Sequence, residues 1–280
     1  MTCVSCGDVV VIEQPTKHWA LEGCCNFRDL GGYRSAHGAV RRRRLFRSDS
    51  LATATTSDHA RFAELHLRTV IDLRSRAEVQ LAGRFSDQSV GYHNLPLGDP
   101  LAEAATVGWG NPEDVATHYL ELLLSSDDSI GEALAVLTDP AAYPAVIHCS
   151  VGKDRTGILV ALVLSLVGVA DDDVVADYAL SGMGAARLAL RLRELCADNL
   201  SDLDRFLPAL LSAEPDTMRC FLARLRHEFG SLEGYIAHLG MTSAIGYLRD
   251  AVLVGDVAPA RGSRADYEAL AARSAGTYGA

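Results

Sequence analysis

Positive charge is in short supply along this sequence. Lys and Arg together number 26 against 36 Asp and Glu, a formal net charge of −10 over 280 residues. A general nucleic-acid binder carries a basic footprint, so the balance argues against that class. An anion-binding enzyme fits only if its cations are concentrated at one site. Long apolar runs are lacking too. The longest, Ile158 to Val169, is far short of the roughly 20 residues that span a bilayer, so no stable membrane insertion is expected. Met1 to Asp8 has no basic region leading into an apolar one, which argues against a secretory signal and for a cytoplasmic protein, with signal-less export left open. Seven cysteines are an odd number, a poor basis for a disulfide framework and a sign of a reducing compartment. Cys3-Val4-Ser5-Cys6 is half of a zinc-site spacing, but no second pair follows except the adjacent Cys24-Cys25; no metal and no other cofactor is expected.

What is present is ordinary globular composition, 49% apolar and 22% charged, enough to bury a sizeable core. Short β-branched or apolar runs predict strands at Arg68–Leu73, Val90–Leu95 and Ala145–His148, with another ending at Arg44–Arg47. Thr56, Ser57 and Asp58 offer capping groups to a helix reaching about His66, and Pro112 suits the first turn of one reaching Leu124. Further helices are expected over Ser129–Leu137, over about Arg155–Val167 and from Asp171, with everything from there to about Val254 helical. The Arg155–Val167 segment is apolar on nearly every face, so it belongs inside the protein. Strands alternating with helices predict an α/β fold, a central sheet covered by helices on both faces, with a largely helical C-terminal half. One domain over 13–255 and a loosely attached tail over 256–280 follow.

The segment that carries chemistry is His148-Cys149-Ser150-Val151-Gly152-Lys153-Asp154-Arg155-Thr156-Gly157. A strand delivers Cys149 to a tight loop, and a helix starts just beyond it. Loop amides and a helix N-terminus converging on one centre make an anion site, and the same field favours the thiolate form of a cysteine placed there. Ser150, Val151, Gly152, Lys153, Asp154, Arg155 and Thr156 are therefore candidate phosphate-binding residues. Arg155 can fold back so that its planar fork grips two phosphate oxygens. His148 is expected to order the loop through a hydrogen bond. Gly152 permits the turn, the Thr156 hydroxyl could donate to the sulfur, and Gly157 lets the first helical turn pack closely against the sheet. A buried structural cysteine would not account for Cys, Gly, Lys, Arg and Thr gathered in one loop.

The pattern His-Cys, five residues, Arg-Thr-Gly resembles the signature of the protein tyrosine phosphatase superfamily. Its Gly-Lys-Asp-Arg-Thr-Gly version looks like the bacterial tyrosine phosphatase B branch, the tyrosine/serine phosphatases. Asn26-Phe27-Arg28-Asp29-Leu30-Gly31-Gly32, Leu45-Phe46-Arg47-Ser48, Ile71-Asp72-Leu73-Arg74-Ser75, Val174-Val175-Ala176-Asp177-Tyr178 and Phe229-Gly230-Ser231-Leu232 agree with it in order, so the similarity runs from about Trp19 to Leu253. The resemblance implies a metal-free phosphatase with Cys149 as nucleophile, Arg155 as phosphate clamp and Lys153-Asp154 as the branch-specific pair.

The leaving oxygen needs a proton. The Trp-Pro-Asp loop of other tyrosine phosphatases is absent, since neither Trp19 nor Trp109 precedes Pro-Asp. Asp99, in Leu95-Pro96-Leu97-Gly98-Asp99, is the favoured acid, and the branch resemblance also places a functional aspartate after a Leu-Pro pair. Asp154 is the competitor, and Asp72 reads as the ion-pair partner of Arg74 or Arg28. Phosphotyrosine in a protein is the favoured substrate. Phosphoserine and phosphothreonine stay open, as do phosphoinositides, because superfamily lipid phosphatases carry a Lys where Lys153 stands, although Ser150 replaces their second one. Apolar spacing over 185–214 fits either core helices or a lid over the site. A rhodanese-like sulfurtransferase and a non-catalytic phosphate-binding module are the alternatives.

Overall fold

A computed structural model describes residues 19–98, 109–195, 207–208 and 211–255. The described chain begins with β1 (Arg28–Asp29), the hairpin of β2 (Arg34–Ser35) and β3 (Gly38–Val40), and then β4 (Leu45–Ser48). Helix α1 (Thr56–Glu64) leads to β5 (Thr69–Asp72), and α2 (Arg76–Ala82) to β6 (Gly91–Asn94). Helices α3 (Pro112–Leu124) and α4 (Asp127–Thr138) precede β7 (Ala145–His148). Beyond it come α5 (Asp154–Leu166), α6 (Asp171–Ala179), α7 (Ala185–Leu195), α8 (Pro215–Phe229), α9 (Leu232–His238), α10 (Ala244–Val252) and finally β8 (Leu253–Val254).

The main sheet has the order β1-β4-β7-β5-β6, with β4, β7, β5 and β6 mutually parallel and β1 antiparallel at one edge. Alternation along the strands divides the core into two. Leu45, Ile71, Ala145 and Ile147 join the large apolar cluster that includes α3, α4 and α5, while Phe46, Val70 and Val146 face a smaller one with Phe27 and with Phe62 of α1. Both faces are thus covered, as expected for parallel strands. In register, Ser48, Asp72 and His148 sit side by side at the carboxyl ends of their strands, with Asn94 beside Asp72. That edge is where an open α/β sheet offers a crevice.

Two sequence expectations need correction. Leu253 and Val254 are not helical: they pair with Val40 and Ala39 of β3 in a second, three-stranded sheet, and Arg41 Nε and Arg44 Nε donate to the carbonyls of Leu253 and Ala251 nearby. The basic run over 41–44 is therefore partly spent on backbone. Helix α1 is capped by Thr55, one residue earlier than anticipated, in a reciprocal capping box with Asp58. Asp58 also accepts the amides of Glu22 and Gly23, so it fastens the incoming chain to the helix start.

Candidate active site

Strand β7 carries the chain up the middle of the sheet and ends at His148, so Cys149 emerges at the carboxyl edge and is buried there. The next four residues turn back into α5, which begins at Asp154. The turn depends on Gly152, whose φ is +74°. A Cβ at that position would lie 2.3 Å from the Ser48 carbonyl oxygen, so close approach as well as handedness demands glycine. The turn points the Gly152 amide at the Cys149 sulfur, 3.2 Å away. The Thr156 hydroxyl, expected to do this, has no hydrogen-bond partner among the described residues. The left-handed turn brings a backbone donor to the sulfur instead.

The loop's carbonyls are held from outside. Asn26 Nδ2 donates to the carbonyls of Val151 (3.1 Å) and Gly152 (3.0 Å), and Arg47 Nη2 donates to Gly152 at 2.6 Å. Arg47 is itself fixed by Asp177 (2.6 Å), which also binds Arg28 Nε at 3.2 Å, all three side chains being buried. Burial alone would raise the Asp177 carboxyl, but Arg28 and Arg47 outweigh it and hold it well below the usual carboxylate range. His148 donates from Nδ1 to its neighbour's carbonyl (3.2 Å), the hydrogen bond to the loop expected of it. Burial pushes its imidazolium pKa down despite Asp72 at 3.6 Å. Asp72 is bound by Arg74 (2.7 Å) and by the Tyr92 hydroxyl (2.7 Å), the ion-pair reading rather than an acid's.

Arg155 meets a partner that motif reading did not identify. Its Nη1 and Nη2 bind Glu78 of α2 at 2.6 and 2.9 Å, and Nη1 also reaches the Leu73 carbonyl at 3.4 Å. Among the described residues three of the five guanidinium donors are thereby used, which leaves Nε–H and one Nη2–H on the adjoining edge, a pair spaced for two oxygens of an oxyanion. Ser150 Oγ donates to Glu78 as well. Burial pushes the Glu78 carboxyl up, but the hydrogen bonds and charge of Arg155, with Ser150 and the Ser75 amide, pull it down to about 2. A signal was present: Ser75-Arg76-Ala77-Glu78 has the spacing of a capping box, and α2 is capped in that way.

Lys153 Nζ donates to the Ser212 carbonyl at 2.9 Å, lies 3.3 Å from Asp154 Oδ1 and sits over the Trp109 ring. It lines a pocket of about 320 Å³ beside the loop, shared with Trp109, Val115, Tyr178, Ser212 and Thr217. Asp154 accepts from the Tyr119 hydroxyl and is partly open to solvent. Gly157 packs on the Tyr178 ring of α6, where a Cβ would be 3.0 Å away, rather than on the sheet as expected. Asp99, Cys3, Cys6 and the tail over 256–280 lie outside the described residues. Cys24 and Cys25 are free thiols. Among the described residues no group of His, Cys, Asp or Glu could hold a metal ion, and no helix is long and apolar enough to cross a membrane.

A strand, a glycine turn and a helix thus assemble a sulfur, an inward amide and a guanidinium edge. The family model for the tyrosine phosphatase family matches residues 19–254, the whole span that contains these elements. The chain belongs to that family. This phosphatase is 31% identical to the triple specificity protein phosphatase PtpB of Mycobacterium tuberculosis, over 84% of its own length and 98% of the relative's. It is 31% identical to a putative tyrosine-protein phosphatase of Cupriavidus necator, over 87% and 86% of the two chains. A tyrosine-protein phosphatase of Nostoc commune is 28% identical over about half of each chain, 48% and 47%. As a member, the phosphatase has the α/β fold and the hydrolytic activity that its sequence predicts, and the sulfurtransferase and binding-module alternatives lose their ground.

Proposed function

We propose that the phosphatase hydrolyses phosphate monoesters through a cysteinyl-phosphate on Cys149, with protein phosphotyrosine as the main substrate. The observation that carries this reading is the Gly152 amide on Cys149 Sγ, with Arg155 close enough to interact electrostatically with the same sulfur and, among the described residues, with its Nε edge unspent. A dianionic phosphoryl group placed there faces the sulfur while amides and guanidinium take its oxygens. The sulfur lone pair forms the S–P bond as the P–O bond breaks, and the departing oxygen takes a proton from Asp154. Water, deprotonated by the same carboxylate, then cleaves the S–P bond and releases inorganic phosphate. Asp154 is taken here as the acid because it adjoins the phosphate clamp and retains solvent access, while Asp99, the acid favoured from sequence, lies outside the described residues and stays the competitor. The family chemistry calls for no cofactor.

Phosphotyrosine is favoured over phosphoinositide because Lys153 is committed to Ser212 and Asp154, which blunts its charge toward a second phosphate. The relative named as a triple specificity phosphatase keeps phosphoserine, phosphothreonine and phosphoinositide in the substrate set to be measured. The lid reading of the 185–214 segment is kept for its described part, residues 196–206, 209 and 210 lying outside the described residues. Its helix α7 is strapped to the chain before β1 by Arg187, which donates to the carbonyls of Leu21 and Glu22, and to the end of β4 by Arg191, which binds Asp49 at 3.1 Å. A reducing, cytoplasmic setting suits the free thiols. The decisive experiment is Cys149→Ser: turnover of an aryl phosphate should vanish while vanadate or phosphate still binds. Normal turnover by the variant refutes the mechanism, and sulfur transfer from thiosulfate by the native chain would refute the function.

A further inference from the structure

Behind Asp154 stands a pair of tyrosines that the two-step mechanism does not use. Tyr119 of α3 is fully buried, and its hydroxyl donates to Asp154 Oδ1. Tyr178 of α6, also buried, has its hydroxyl 2.8 Å from that of Tyr119. Tyr119 has one proton to give and the carboxylate receives it, so Tyr178 must donate to Tyr119. The hydroxyls form a directed chain, Tyr178 to Tyr119 to Asp154, in which each donor polarises the next. Lys153 Nζ reaches the same Oδ1 at 3.3 Å. Among the described residues, both of these contacts of the carboxyl fall on Oδ1 and none falls on Oδ2.

We propose that Tyr119, backed by Tyr178, is a positioning residue that anchors Asp154 by Oδ1 and thereby places the acidic proton on Oδ2. The inference rests on the reading of Asp154 as the general acid. With Oδ1 engaged by two donors, protonation there would break a hydrogen bond, so the proton resides on Oδ2. As the P–O bond breaks, its electron pair goes to the leaving oxygen, the Oδ2 proton follows, and Asp154 becomes a carboxylate. The donors on Oδ1 hydrogen-bond the negative charge that the carboxyl takes on in that step. Burial pushes the Tyr119 and Tyr178 phenols far above their ordinary range, with the Asp154 charge adding to it, so both remain proton donors throughout the working range. The other groups facing this chain are Lys153 and Arg155 from the loop side, Arg47 from β4 and Thr217 from α8, which hydrogen-bonds Tyr178. None of them can take the place of a phenol hydroxyl on Oδ1 except Lys153, which is already there.

The test compares Tyr119→Phe, Tyr178→Phe, Asp154→Asn and Asp99→Asn on phenyl phosphate, whose leaving group needs a proton, and on 4-nitrophenyl phosphate, whose leaving group barely does. Losing a hydrogen bond to a charged group should lower kcat/KM of Tyr119→Phe on phenyl phosphate by about tenfold, several times more than on the nitrophenyl ester. The basic limb of its pH profile should move to higher pH, and Tyr178→Phe should move it the same way by less. If Asp154→Asn loses activity selectively on phenyl phosphate while both tyrosine variants keep the native limb, the positioning inference is overturned and the acid assignment stands. If instead only Asp99→Asn shows the selective loss, the acid assignment falls and the inference with it. Should Tyr119→Phe fail to fold, the limb of Tyr178→Phe decides: an unmoved limb overturns the inference.

Discussion

Replacing Glu78 by glutamine keeps the side chain's shape and removes the charge that pairs with Arg155. The Glu78 carboxyl is held at about 2 against an ordinary 4.5, in a side chain only 14% exposed. At about 1.4 kcal/mol per pH unit, that gap makes the ionised carboxylate worth about 3 kcal/mol to the fold at neutral pH. A folded-state value below the unfolded one fixes the sign. The contribution is complete above the unfolded value and drains away as pH falls through that value toward the folded one. Urea unfolding of native protein and Glu78→Gln should therefore differ by about 3 kcal/mol at neutral pH, narrowing to about half of that near pH 3. Loss of a partner to a buried guanidinium sets the same scale independently, about 3–5 kcal/mol. A difference that does not change between the two conditions, or one below about 1 kcal/mol at neutral pH, would refute the claim that this ion pair holds the phosphate clamp.

Gly152→Ala forces a Cβ to 2.3 Å from the Ser48 carbonyl oxygen at a positive φ. Vanadate affinity should collapse, with stability lowered by at least about 2 kcal/mol in urea unfolding. Asp177→Asn leaves Arg28 and Arg47 buried without their shared anion and should cost about 3–5 kcal/mol, measured in the same way. Arg191→Ala removes the strap from α7 to the buried Asp49, and amide hydrogen exchange in α7 should rise markedly while that of α5 stays slow.

Local pattern made the scaffold readable. The spans predicted at Pro112–Leu124 and Ala145–His148 match α3 and β7 residue for residue, because a proline at a helix start and a short apolar run before a glycine loop are signals settled within a few residues. The helix after Cys149 begins within a residue of its expected start for the same reason. Apart from the one-residue shift in the cap of α1, the misses are of a different kind. Whether Leu253-Val254 continues a helix or joins β3 is decided by a strand more than 200 positions away. The Arg155 partner lies on α2, and the capping box that marks this helix says where it starts but not which guanidinium it will meet. The donor to the Cys149 sulfur depends on the sense of the turn at Gly152, which side-chain chemistry alone does not specify.

Long-range contact also explains why the scattered motifs occur together. Asn26 and Arg28, Arg47, and Asp177 come from three separate stretches, and in the fold they form one buried cluster beneath the phosphate loop. Asn26 and Arg47 take loop carbonyls, and Asp177 holds the two arginines in place. A peptide whose carbonyl is bound on the outside must turn its amide the other way, which is how a chain with a net charge of −10 can still present donors to a dianion. Its buried cations do not supply that field unopposed, since Arg28, Arg47, Arg74 and Arg155 each face a carboxylate. Attraction for phosphate must then come chiefly from oriented amides and from the guanidinium edge that Glu78 leaves over. Such an arrangement depends on geometry more than on net charge, and disturbing the carbonyl anchors should harm phosphate binding even where every charge near the sulfur is retained.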